Sequence, residues 1–141
     1  MDSERINARL TDLSSFIGEL KKLPLPKNVG DYERSSPAIK RAVERDLQLI
    51  SEAELEIMVQ VYKNLNLKAP GEEESIINAM EMVMDRELVK KAKERRELRN
   101  HLVHAYFNID DKKVFMLASD VRDIEQFTAA VRKIVNKYTS H

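Results

Sequence analysis

The stretch RELVKKAKERRELRNHLVHAYFNID, residues 86–110, reads as a two-sided helix from about Arg86 to Tyr106, with Asp85 placed to cap it. A helix advances by about 100° per residue, so with Arg99 at zero Asn100 falls at about 100°, His104 at about 140° and Arg96 at about 60°. On the same count Leu98, Leu102 and Ala105 gather at about 240° to 300°, a core-facing stripe behind a polar arc. Charge changes sign where this helix begins. Glu72 to Asp85 holds five acidic residues and no basic one, whereas Arg86 to Arg99 holds seven basic and three acidic. The basic run suits a local attractor for phosphate, and equally a solvated face laced with Glu and Lys pairs.

The residue types on the arc match one kind of chemistry. Cleaving RNA without a metal needs a base for the 2′-hydroxyl proton, an acid for the leaving 5′-oxygen, and positive charge against the crowded phosphate. Histidine serves either proton transfer near neutral pH. Arginine keeps its charge and presents a fork of donors to phosphate oxygens. Asparagine can donate to phosphate or orient an imidazole, and Asn100 and His104, one turn apart, can touch. One copy supplies one such histidine, whereas two copies across a two-fold axis supply two, so the chemistry predicts a homodimer. Taken by spacing alone, the same residues also suit a surface ion-pair partner at Arg99 and an ordinary helix histidine at 104. His101, about 60° from His104, reads as a solvated or RNA-contacting histidine, with Arg96 as a second RNA contact; no further ligand makes a metal pair of the two histidines.

Outward from this helix the apolar spacing is helical almost throughout, and three glycines and four prolines in 141 residues do not serve an all-β chain. A first helix runs from about Ser3 to Lys22, with Ile6, Leu10, Leu13, Ile17 and Leu20 on one face. Leu23 to Ser35, with Pro24, Pro26 and Gly30, reads as a loop. Ser36-Pro37 starts a long helix to about Leu65, since the hydroxyl caps and proline at the first position gives up no needed N–H. Its apolar residues are too widely spread for one stripe, which predicts a face for a second subunit. Pro70-Gly71 breaks the chain before a short helix from about Glu73 to Met84. Asp110 and Ser119 or Asp120 then cap two last segments, one with Val114, Phe115 and Leu117, the other with Ile124, Phe127, Val131 and Ile134. The expected architecture is all-α, an up-and-down bundle of five to six helices in one domain spanning 1–141.

Composition narrows the rest. Basic and acidic residues balance at 24 each, so RNA contact has to be local rather than a broad basic surface. With no cysteine, disulfides, thiolate catalysis and Cys-based zinc sites are excluded. No apolar run reaches the length of a membrane span, and the first residues lack a signal-type apolar core, which predicts a cytoplasmic protein.

The longer string from Arg99 to Asp110, RNHLVHAYFNID, resembles the HepT-like branch of the HEPN superfamily, marked by Arg, four residues, His, any residue and Tyr. Ala42 to Gln48 with Glu52-Ala53 resembles that family's long second helix, and Val114 to Phe127 its short helix leading into a final amphipathic one. The resemblance implies that Arg99 and His104 are a ribonuclease pair, with Asn100 the polar residue between them. It also implies a toxin whose antitoxin partner is a minimal nucleotidyltransferase, and Tyr106 as the residue to which that enzyme attaches AMP. No cofactor and no metal are implied. Without the family, Tyr106 reads as an aromatic packing at the helix end. The runner-up function is a non-catalytic helical dimer that binds a nucleotidyltransferase or a nucleotide phosphate.

Overall fold

The computed structural model describes residues 2–67, 71–104 and 108–139. The described residues form seven α-helices and one 3-10 turn: α1 Ser3–Lys22, α2 Val29–Glu33, α3 Pro37–Asn64, α4 Glu73–Ala79, the turn Met80–Met82, α5 Arg86–His104, α6 Asp111–Ser119 and α7 Val121–Thr139. Local chemistry starts most of them. The Ser36 hydroxyl accepts from the Ile39 N–H at 3.3 Å with Pro37 at the first helical position, and the Asp85 carboxylate accepts from the Glu87 N–H at 2.7 Å at the head of α5. Asp110 does the same for α6 through the Lys112 N–H at 3.0 Å.

α3 runs through the centre, packed by α1, α4, α5 and α6, while α7 closes over α1 and α5. All five apolar residues expected on the inner face of α1 are buried. They meet Val43, Leu47, Ile50, Ile57 and Val61 of α3 and Ile124, Phe127 and Val131 of α7 in one contiguous core. The width of the apolar set on α3 is thus taken up largely within the chain, by helices that surround it on several sides.

Two boundaries differ from the sequence reading. The loop expected from Leu23 to Ser35 contains α2, a five-residue helix whose N–H of Asp31 is capped by Asn28 at 2.8 Å and whose Tyr32 is fully buried. Tyr32 packs its ring 5.7 Å from that of Phe115, which roots α6 on α2. The helix expected from Glu73 to Met84 stops being α at Ala79 and tightens into the 3-10 turn before Asp85.

One charged pair lies inside the core. Arg95, on the buried side of α5, donates from Nε and Nη2 to the two carboxylate oxygens of Glu54 on α3 at 2.7 and 2.6 Å, with both side chains 1% exposed. The bidentate fork fixes the rotation and height of α5 against α3, because a slide of either helix would strand two buried charges. One turn further along, the same helix pair presents the polar arc.

Candidate active site at the end of α5

Arg99 leans from α5 onto α3. Its Nε and Nη2 both donate to Glu52 Oε2 at 3.4 Å, and its Nη1 donates to Asn100 Oδ1 at 3.2 Å. A guanidinium only donates, so the Asn100 oxygen must face it, and the amide N–H2 is the part of Asn100 free to face a ligand. The Arg99–Glu52 contact is long and about one third exposed on both sides, an ion pair that incoming phosphate can displace.

His104 is exposed in the last turn of α5, and among the described residues its ring has no partner. Beside it Val103 is 44% exposed. On the helical count Val103 falls at about 40°, inside the polar arc between Arg99 and Asn100. Leu98 and Leu102 are buried behind, as the two-sided reading required.

The other residues singled out in the sequence are otherwise engaged. Arg96 donates from Nε and Nη2 to Glu73 Oε2 of α4 at 3.2 and 3.1 Å. His101 is half-buried with Nε2 at 2.8 Å from the Asn108 carbonyl oxygen. No hydrogen bond joins Asn100 to His104 among the described residues. Tyr106 and Ala105 lie outside the described residues. Glu52 was not singled out as a site residue, because nothing in linear spacing links position 52 to position 99; only the packing of α3 on α5 does. Among the described residues, no three His, Cys, Asp or Glu side chains converge as a metal site would need. The hollow between α1 and α3, lined by Arg5, Arg9, Leu55, Glu56 and Val59, contains none of the motif residues. The arc on α5 is open surface.

Residues 13–134 match the family described as ribonuclease HepT-like. A protein of Aphanizomenon flos-aquae named tRNA nuclease HepT is 32% identical over 136 residues, covering 94% of this chain and 88% of its own length. Among solved structures, the tri-AMPylated HEPN toxin of Shewanella oneidensis in complex with its MNT antitoxin superposes with a TM-score of 0.81 at 18% identity, over 92% of this chain and 98% of that one. The cytosolic protein YutE of Bacillus subtilis, of unknown function, superposes with a TM-score of 0.78 at 17% identity, over 99% of this chain and 94% of its own. At these identities the two structures speak for a shared HEPN fold. No described helix is long and apolar enough to cross a membrane.

Proposed function

The chain belongs to the ribonuclease HepT-like family, and from that premise we propose that it is a cytoplasmic endoribonuclease toxin that cuts RNA without a metal, as a homodimer sharing one cleft. The observation that carries this reading is the arc on α5: an arginine tethered loosely at Glu52, an asparagine whose amide faces outward, and an exposed histidine without a partner among the described residues. In the reaction one His104 imidazole takes the 2′-hydroxyl proton. Its symmetry mate protonates the departing 5′-oxygen, and the two Arg99 guanidinium groups neutralise the phosphate as it becomes five-coordinate. Asn100 donates its amide to a phosphate oxygen. A single protomer leaves these groups on open surface, and exposed Val103 among them suits contact with a second copy. The similarity to a protein named as a tRNA nuclease makes tRNA the first substrate to try.

The antitoxin in this reading is a minimal nucleotidyltransferase that transfers AMP to Tyr106, two residues past His104. Phosphate charge installed beside the cleft repels RNA and fills its place.

Purified protein in chelator should cut RNA, and His104→Ala and Arg99→Ala should each lower the rate by at least about a hundredfold while the helical signal is kept. Cleavage surviving in both variants rules out the assigned pair. Retained RNA or nucleotidyltransferase binding by a wild-type protein that does not cut would instead favour a non-catalytic binding dimer.

A further inference from the structure

His101 stands inside the motif, yet neither proton transfer nor phosphate binding gives it a part. Its Nε2 lies 2.8 Å from the carbonyl oxygen of Asn108, seven residues on. A carbonyl can only accept, so Nε2 carries the proton and the ring donates across the span. The side chain therefore ties the last turn of α5 to the segment that enters α6. The far end of that tie is itself anchored. Asp111 accepts from Lys40 Nζ of α3 at 2.9 Å, the same ammonium donates to the Glu33 carbonyl oxygen beside α2 at 2.7 Å, and Asp110 caps α6. Of these links, the His101 bond is the one that brackets residues 102–107, Tyr106 among them.

We infer that His101 is a clasp that closes the segment carrying Tyr106, and so a positioning residue for AMP transfer to that tyrosine rather than an RNA ligand; this rests on the reading of Tyr106 as the AMP acceptor. In the transfer the Tyr106 hydroxyl oxygen bonds to the α-phosphorus of ATP, the bond to pyrophosphate breaks, and the phenolic proton passes to a base on the transferase. A nucleophile fixed at both ends of a short closed segment loses less freedom on meeting that phosphorus than one on an open loop. Histidine suits the tie because it donates from a stiff ring at a reach that a shorter side chain lacks, and glutamine approximates it.

The test compares the full-length wild type with His101→Phe, which keeps bulk without the donor, and His101→Gln, which restores a donor. Amide hydrogen exchange across 105–108 in the unmodified protein should quicken about fivefold in the Phe variant and return to within about twofold of wild type in the Gln variant, at matched global stability. With the cognate minimal nucleotidyltransferase and ATP, AMP incorporation should slow about threefold to fivefold in Phe and recover in Gln. Equal exchange in all three proteins overturns the clasp, whatever the transferase does. Exchange that separates the variants while AMP incorporation does not, with a raised KM for RNA in Phe, overturns the positioning role in favour of an RNA contact. A wild-type chain that takes up no AMP while exchange still separates the variants supports the clasp and removes Tyr106 as acceptor.

Discussion

Arg99 has to be held and yet be releasable, and Glu52 supplies both conditions. Its single oxygen accepts twice at 3.4 Å, enough to select a rotamer but too weak and too exposed to compete with a phosphate dianion. Glu52→Gln should therefore lower kcat for RNA cleavage about threefold to tenfold without raising KM, and change stability by less than about 1 kcal/mol. A raised KM with kcat intact would mark residue 52 as a direct RNA contact instead. The deeper pair behaves oppositely. Breaking it in Glu54→Gln leaves the Arg95 charge buried and should cost about 3 kcal/mol in urea unfolding, whereas Arg95→Met combined with Glu54→Leu should recover most of that loss. Asp46 gives the fold a pH response: burial first, and its hydrogen bond to Glu19 second, push its carboxyl up to about 6. A folded pKa above the unfolded value of about 3.9 means the group stabilises the fold fully below pH of about 4 and that this is lost as pH rises through about 6. From pH 5 to 7.5 the wild type should lose about 1 kcal/mol that Asp46→Asn retains; parallel unfolding curves for the two proteins at both pH values would show that Asp46 is not the source.

The elements that sequence exposes well are those with two or more turns of one-sided apolar spacing. α1, α3, α5 and α7 are of that kind, and their inner faces lie where the periodicity puts them. α2 has five residues and one buried side chain, too few to show a period, and Pro24, Pro26 and Gly30 around it carry the stronger local signal of a loop. The split of α4 from its 3-10 turn has no breaker residue to announce it, since Ala79 and Met80 suit either helix. At the site, Arg99, Asn100 and His104 share an arc because helix geometry alone dictates it. The partners that hold such side chains are another matter: Glu52, Glu54 and Glu73 lie tens of residues away in sequence, and Arg95 sits in the core although its basic neighbours read as a solvated face. The same arc places a valine where a lone protomer would carry a polar residue. If Val103 meets a second copy, Val103→Asp should shift the protein toward monomer in analytical ultracentrifugation and lower cleavage about tenfold or more, with helix content unchanged. A variant that stays dimeric and active would place the shared face elsewhere.

At the scale of the whole molecule, a shared cleft and two independent clefts make different predictions for mixtures. One protomer carries one His104, while scission needs both a base and an acid, so a dimer with one histidine removed lacks half of the proton chemistry. Wild-type and His104→Ala chains, refolded together in equal amounts so that subunits assort at random, form wild-type, mixed and doubly substituted dimers in a ratio of about 1:2:1. If the cleft is shared, mixed dimers are nearly inactive and total cleavage falls to about one quarter of that from the same mass of wild type. If each protomer cuts alone, it falls to about one half. The comparison should be made in chelator well above the dimer dissociation constant, since a monomeric fraction would lower both figures together. Arg99→Ala mixed with His104→Ala extends the same logic, because their mixed dimer keeps one arginine and one histidine. That pairing should recover no more than a small part of wild-type activity under a shared cleft, and full recovery there would show that a single complete set of groups suffices.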